Sequence, residues 1–379
     1  MSSVVVRNAL QIDNLLRMGF LWTLIIMVSY MMVLYHLLRG SSIVFPRRSM
    51  ASVGRWRACI VTGASSGIGK VVAKALALEG YHVILAGHMS GELHEAVAEI
   101  KSECIGVSLH SVELDLCSVA SILAFVDAVE SWILTTYPHH DLQLLVNNAG
   151  ILAASQRFTP EGYDSMMATN YLGPFLLTKL LLPLLEKSSE PARIVNVVSF
   201  THRCVRSLKI NEELFLKGTV QKSLNRDWYR MARIYEASKM CLLLFSYELE
   251  RRLGNLGSRV TVMVADPGIV KTSILQELPQ LLVNITHLGL KILGLLQSPD
   301  AGARAIIDAA LAPMEVSGRY FFGGHGMTLQ SSALSHDTKL AENLWRWSSK
   351  FCDAAIAHLK NDRHDSSSHL VSEIEERLP

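Results

Sequence analysis

Thr62-Gly63-Ala64-Ser65-Ser66-Gly67-Ile68-Gly69 forms a glycine-rich turn after a short apolar run at residues 58–62. It precedes a helix that we predict to begin near Lys70. Glycines at such a strand-to-helix turn let the backbone bend tightly and approach a pyrophosphate, which the positive end of the helix would bind. The glycines alone are weak evidence, but their position favours a dinucleotide site over a plain turn.

Around this turn, short apolar runs alternate with longer amphipathic stretches. Such alternation is typical of a parallel sheet with crossover helices. We therefore predict an α/β domain over residues 58–350, with a doubly wound, seven-stranded parallel sheet. The predicted strands are residues 58–62, 82–86, 107–114, 142–147, 193–198, 259–264 and 319–322.

An apolar segment, residues 18–38, follows an N-terminal segment of residues 1–17 and contains no formally charged side chain. As a helix it can span a bilayer core of about 30 Å. It exceeds the roughly 7 to 15 apolar residues of a cleavable signal peptide, the main alternative. We predict a single-pass transmembrane anchor. The basic linker that follows, residues 39–57, holds arginines and no acid, which places the large domain in the cytosol. The membrane that we expect is the endoplasmic reticulum.

The composition argues against several classes of function. Lysine plus arginine number 36 against 34 for aspartate plus glutamate, so the charge gives no case for a nucleic-acid partner. The six cysteines show no CxxC spacing, so we predict no metal site and reduced thiols. We predict a polar, partly disordered tail at residues 361–379.

Tyr235 and Lys239 are the candidate acid/base pair. Four residues apart on a helix, they share one face, so the ammonium can lie beside the phenol. A phenol titrates near ~10, and an adjacent positive charge can lower its pKa by ~1 to 3. This spacing is common by chance, but Ser199 at the end of the fifth predicted strand strengthens the assignment.

Together, these motifs resemble those of the short-chain dehydrogenase/reductase family, in its retinol-dehydrogenase-like branch, over roughly residues 58–325. Residues 62–69, the Asn147-Asn148-Ala149-Gly150 turn and the Tyr235–Lys239 spacing carry the resemblance. It implies a Rossmann-like fold and a catalytic set in which Tyr235 transfers the proton. Ser199 would position the substrate oxygen, Lys239 would lower the pKa of Tyr235 and bind the nicotinamide ribose, and Asn170 would order a relay water. The cofactor-binding residues that it implies are Gly63, Ser65, Ser66, Gly67, Ile68, Gly69, His88, Asp115, Leu116, Asn147, Ala149, Gly150, Tyr235, Lys239, Pro267, Gly268, Val270 and Thr272.

The cofactor preference depends on His88, at the end of the second predicted strand. NAD-preferring folds place a carboxylate there, and its absence favours NADP(H) over NAD(H). A largely neutral imidazole binds a phosphate less firmly than the arginine that the resemblance would suggest, so both cofactors remain open.

Val198 and Asp266 also depart from the family pattern, which commonly has a serine and a histidine there.

The apolar residues 274–296 correspond to the substrate-covering segment of the family and suggest a lipophilic substrate, although a core helix has the same composition. The basic stretch between Ser199 and Tyr235 is predicted to be a surface insertion or a border of the active-site mouth. We predict a membrane-bound, NADP(H)-preferring oxidoreductase acting on a small lipophilic carbonyl or alcohol. The resemblance makes a homodimer through the Tyr235 helix plausible. The alternative function is a catalytically weak NAD(P)-binding scaffold with a developmental or signalling role at a membrane.

Overall fold

The computed structural model describes residues 2–39, 44–48, 57–136, 141–211, 227–278 and 280–375. Parts of the predicted basic linker, of the insertion before Tyr235 and of the C-terminal tail lie outside the described residues. Within the described residues the predicted α/β fold is confirmed: strands and helices alternate along the chain, and one central sheet runs through the domain.

All seven predicted strands form, and they are parallel to one another. They are β1 (Arg57–Thr62), β2 (Tyr81–Gly87), β3 (Ser108–Glu113), β4 (Asp141–Asn147), β5 (Arg193–Val197), β6 (Thr261–Asp266) and β9 (Tyr320–Phe322). Between β6 and β9 in the chain, β7 (Ile269–Val270) and β8 (Leu296–Gln297) form a separate two-stranded sheet. The sheet has eight strands rather than seven, because β10 (Thr328–Leu329) adds an antiparallel edge beside β9. The order is β10-β9-β6-β5-β4-β1-β2-β3, so the strand order reverses between β1 and β4, where such folds bind ligands.

Helices cover both faces of this sheet. The helices of the described chain that are longer than one turn are α1 (Ser2–Leu38), α2 (Gly67–Leu78), α3 (Ser90–Glu103), α4 (Val119–Thr136), α5 (Gly173–Glu186), α6 (Asp227–Asn255), α7 (Gln280–Ile292), α8 (Pro299–Leu311) and α9 (Thr338–Glu375). One apolar core contains residues of α2, α3 and α8, and the other contains residues of α1, α4, α5, α6 and α9. Both faces of the parallel strands are therefore buried, as their apolar sequences require.

The final helix, α9, packs against α6. Trp345 stacks on Phe245 with ring centroids 5.8 Å apart, and the hydroxyls of Tyr171 and Ser348 are hydrogen-bonded at 2.6 Å. The helix extends to Glu375, through most of the segment predicted to be a partly disordered tail. Because α9 covers this face of α6 within one chain, the face that bears Phe245 is not available to the suggested homodimer.

The N-terminal helix is longer than the predicted anchor and packs on the domain along one side. Ile26 and Ser29 are buried, whereas Phe20, Met31 and Leu38 on the other side are exposed. By length and composition, Gly19–Leu38 is able to cross a membrane, with a mean hydropathy of 1.9. The predicted apolar helix is thus present, with one side packed on the domain and the other side exposed.

Candidate active site

The glycine-rich turn leaves space where side chains would collide. Gly63 has a φ of 65°, in the left-handed region, and a Cβ there would lie 2.9 Å from Cα of Ala149. At Gly69 a Cβ would lie 2.1 Å from the carbonyl oxygen of Gly63. Helix α2 begins at Gly67, so its unpaired first-turn N–H groups lie within the turn. The turn is therefore shaped for close approach of a ligand to the backbone.

A cavity of about 550 Å³ opens beside this turn, at the carboxyl ends of β1, β2 and β4. Twelve of the residues assigned to the cofactor line it: Gly63, Ser65, Ser66, Gly67, Ile68, Gly69, His88, Asp115, Leu116, Ala149, Gly150 and Thr272. The remaining six, Asn147, Tyr235, Lys239, Pro267, Gly268 and Val270, do not line it. The glycine cradle and the polar lining fit a dinucleotide.

Thr62 holds the two central strand ends together, a role that the sequence did not reveal. Its Oγ1 accepts hydrogen bonds from the backbone N–H groups of Asn148 and Ala149, both at 3.0 Å. The side-chain amide of Asn148 donates to the Thr62 carbonyl oxygen at 2.8 Å. These bonds fix the cavity floor at the point where the strand order reverses.

Asn147, which the resemblance assigned to the cofactor, is buried and bonds within the domain. Its Nδ2 donates to Oδ1 of Asn196 at 2.8 Å and to Oγ1 of Thr178 at 3.0 Å. Asn147 therefore supports the cavity from behind.

At the far end of the cavity, His88 is exposed and faces a carboxylate. Its Nδ1 lies 3.7 Å from Oδ2 of Asp115, whose Oδ1 accepts from the backbone N–H of Cys117 at 2.8 Å. Asp115 is thus held in place by the loop after β3. A ribose or phosphate group bound here would meet both an imidazole and a carboxylate.

Ser199 and Tyr235 lie together on the other side of the sheet's carboxyl edge. Ser199 follows β5 and caps a short 3₁₀ helix, Phe200–Cys204, with its hydroxyl accepting from Oγ1 of Thr201 at 3.1 Å. The hydroxyl of Tyr235, on α6, lies close enough to the Ser199 side chain for Ser199 to act on the pKa of the phenol. The predicted juxtaposition of the two hydroxyls is therefore present.

Lys239 lies one helical turn beyond Tyr235 on the same face. Its Nζ donates to the carbonyl oxygen of Val197 at 3.0 Å and lies 6.0 Å from the Tyr235 ring centroid. A Cβ placed on Gly150 would be 3.2 Å from this Nζ and 3.4 Å from Oδ1 of Asn170. The ammonium thus approaches the cavity wall at Gly150.

Asn170 sits in a π-helical turn, Ala168–Leu172, that leads into α5. Such turns are frequent at functional sites. The Asn170 Oδ1 accepts a hydrogen bond from the N–H of Ile151 at 2.8 Å. The Asn170 Nδ2 donates to the Ile151 carbonyl oxygen at 3.0 Å and to Ser238 Oγ at 3.1 Å. The side chain is fully buried, and it links α5, α6 and the loop after β4.

Burial dominates the electrostatics of this set. It raises the pKa of Tyr235 to about 12, although the nearby Ser199 side chain opposes the shift. Burial also lowers the pKa of Lys239 to about 8. The Tyr235 pKa is therefore raised in this arrangement, rather than lowered as expected, because burial disfavours the charged phenolate.

Asp266, which departs from the family pattern, is fully buried at the end of β6. Its Oδ2 accepts from the Tyr320 hydroxyl at 2.5 Å and its Oδ1 from the N–H of Gly268 at 2.9 Å. Burial raises its pKa to about 6. The carboxylate fixes the turn through Pro267 and Gly268, which the resemblance assigned to the cofactor.

Helix α1 packs against this set through Trp22. The Trp22 ring lies 5.9 Å from the Tyr235 ring and 6.4 Å from that of Phe200, measured between centroids. Its indole N–H donates to Oε1 of Glu236 at 2.7 Å. Only the apolar character of residues 18–38 was visible in the sequence, and nothing there indicated this contact.

Comparisons with known proteins agree with the site. A model of the short chain dehydrogenase family matches residues 57–205. Polyprenol dehydrogenase of Homo sapiens is 37% identical over 306 residues, which cover 78% of this chain and 84% of that protein. Human retinol dehydrogenase 13 is 32% identical over 299 residues, covering 77% and 83%. A solved structure of an uncharacterised protein from Mycobacterium paratuberculosis is similar with a TM-score of 0.59 at 28% identity, covering 81% of this chain and 98% of the other.

Proposed function

This chain belongs to the short-chain dehydrogenase/reductase family and is an NAD(P)-dependent oxidoreductase, and we propose that it interconverts a lipophilic alcohol and its carbonyl with NADP(H). The observation that carries this proposal is the proximity of the Ser199 and Tyr235 hydroxyls, with the Lys239 ammonium one helical turn away. The glycine-lined cavity adjoins them at Gly150.

The chemistry divides between cofactor and protein. The nicotinamide supplies or accepts the hydride. Tyr235 donates a proton to the carbonyl oxygen during reduction; with a pKa of about 12 its hydroxyl is protonated at neutral pH and ready to do so. Ser199 donates a hydrogen bond that positions the same oxygen. Lys239 binds the ribose and places its ammonium beside the Tyr235 ring, and Asn170 orders a water in the proton relay.

The substrate class follows from the relatives and from the apolar surfaces beside the site. The relatives named above carry polyprenol and retinol in their names, and both compounds are alcohols with long apolar chains. Helix α7, in the segment predicted to cover the substrate, exposes Leu281, Ile285 and Leu288 at helical spacing. NADP(H) rather than NAD(H) is proposed because His88, and no acid, ends β2. The Asp115 carboxylate beside His88 weakens the preference for NADP(H), because it would repel a 2′-phosphate.

We also propose that α1 anchors the chain as a single pass in the endoplasmic reticulum membrane, with the domain facing the cytosol. The predominantly apolar, 20-residue segment Gly19–Leu38 and the arginines that follow it support this topology. A homodimer remains a prediction, and it would need a surface other than the one that α9 covers.

The proposal is tested by removing the Tyr235 hydroxyl. We expect Tyr235→Phe to lower turnover of NADPH with farnesal at least ~100-fold, while NADPH affinity stays within about twofold, because the phenol serves proton transfer. Tyr247→Phe is the matched control on the same helix, since its hydroxyl bonds only to Ser331 in the described structure. Full turnover by Tyr235→Phe would exclude the mechanism. A wild-type protein that binds NADPH but reduces no lipophilic aldehyde or ketone would favour the scaffold alternative.

A further inference from the structure

The inner side of α1 packs on the domain beside Tyr235, and the domain surface beneath it, from Trp22 to Tyr30, is called the groove. Trp22 packs over Tyr235 and Phe200 at one end. Two turns further along the helix, the Tyr30 ring lies 5.2 Å from that of Phe322 in β9, and its hydroxyl is hydrogen-bonded to Gln297. The eight residues from Trp22 to Tyr30 span about 12 Å of helix. The groove therefore runs at least that far from the reacting hydroxyl.

The covered groove is the route by which a substrate would reach Tyr235. Tyr235 and Ser199 are only 7% and 8% exposed, and neither lines the cavity beside the glycine turn. While Trp22 rests on Tyr235, little of the Tyr235 side chain is open to a substrate from outside. The contact must open for turnover.

We propose that the groove beneath α1 is the binding site for the apolar chain of the substrate, and that α1 leaves it when the substrate enters. This inference rests on the proposed function. Its basis is that an apolar segment of this chain already fills the groove, with Ile26 fully buried and Trp22 making its one polar contact with Glu236. A long apolar chain with a terminal hydroxyl or carbonyl satisfies the same surface and places its oxygen at Tyr235.

A lipid bilayer gives the displaced helix an alternative environment. The outer side of α1 is already apolar and exposed at Phe20, Leu24 and Met31, so withdrawal into lipid would bury both sides, whereas withdrawal into water would expose the inner side as well. A helix docked along the domain from Trp22 to Val33 cannot span a bilayer at the same time. Anchoring in the membrane and opening of the groove are therefore one event.

Cysteine labelling of the full-length protein tests this independently of turnover. Ser29 is 1% exposed and its neighbour Val28 is 45% exposed, so Ser29→Cys and Val28→Cys report the two sides of α1. Without lipid, we expect a maleimide to label Ser29→Cys at least ~10-fold more slowly than Val28→Cys, because labelling requires local opening. Farnesol with NADP⁺ should bring the two rates together. Equal rates before farnesol is added, or a Ser29→Cys rate that farnesol leaves unchanged, would overturn the inference.

Turnover provides the second readout. We expect phosphatidylcholine vesicles to accelerate farnesol oxidation by the wild type at least ~10-fold, whereas Val28→Arg, whose charge opposes insertion into lipid, should stay slow with and without vesicles. Ser29→Arg should be active without vesicles, because a buried charge undocks the helix. If labelling responds to farnesol but no variant oxidises it, the groove stands and the proposed reaction fails. If farnesol is oxidised at the same rate with and without vesicles and labelling does not respond, the reaction stands and the groove assignment fails.

Discussion

Replacing Asp266 by asparagine should change how the stability of the protein depends on pH. Asp266 is fully buried, and burial raises its pKa from an ordinary 3.8 to about 6 in the folded protein. For a carboxyl whose folded-state pKa lies above its unfolded value, the unfolded state ionises first as the pH rises. The folded state therefore loses stability between about pH 4 and pH 6, and the loss is complete above that range.

The structure sets the size of this effect. The difference between 3.8 and about 6 amounts to about 3 kcal/mol at pH 7.5, and to about 1 kcal/mol at pH 4.5, where only part of the difference is expressed. Asparagine cannot ionise, so Asp266→Asn removes this pH-dependent loss. Any weakening of the hydrogen bonds from Tyr320 and Gly268 is nearly the same at both pH values and cancels in the comparison.

Urea unfolding of both proteins at the two pH values measures the prediction. The variant should gain about 2 kcal/mol relative to the wild type on going from pH 4.5 to pH 7.5. Asp127→Asn, at an exposed carboxyl on α4, is the control and should show no such gain. If Asp266→Asn differs from the wild type by the same amount at both pH values, Asp266 does not carry the burial penalty argued here.

Three other changes test the cofactor site and the packing of α9. Gly69→Ala should weaken NADPH binding at least ~100-fold in a fluorescence titration, because its Cβ collides with the Gly63 carbonyl; Gly91→Ala, which meets nothing within 4 Å, should bind normally. His88→Arg should raise the ratio of kcat/KM for NADPH to kcat/KM for NADH by about tenfold, because a guanidinium can form two hydrogen bonds with the 2′-phosphate. An unchanged ratio would mean that residue 88 does not contact the 2′-phosphate. Leu344→Ala, fully buried on α9, should lower the free energy of unfolding by about 2 to 5 kcal/mol in urea melts; a loss below about 1 kcal/mol would mean that α9 is not packed as described.

Much of the candidate site could be predicted from local sequence. The turn at residues 62–69 and the spacing of Tyr235 and Lys239 place their residues through backbone geometry alone, because a strand-to-helix turn and an i, i+4 pair are local structures. The strand ends could be located because parallel strands bury both faces and appear as apolar runs. Ser199 was placed correctly for the same reason.

Contacts between distant segments were not visible in this way. Thr62 looked like the last residue of a strand, and its bonds to Asn148 and Ala149 join residues more than 80 positions apart. The expected lowering of the Tyr235 pKa was wrong for this arrangement because it considered the neighbouring charge and not the burial that the whole domain imposes.

The amino-acid sequence therefore determined the α/β fold, the glycine-rich turn and the placement of Tyr235 and Lys239 on one helix face, because each depends on spacing within one segment or on alternating apolar runs. Only the tertiary structure decided that Trp22 covers Tyr235 and that α9 covers a face of α6. Hydropathy reports that a helix avoids water, but burial against protein and burial in lipid satisfy the same apolar side chains. Which partner an apolar face takes is set by the shape of the surface opposite it.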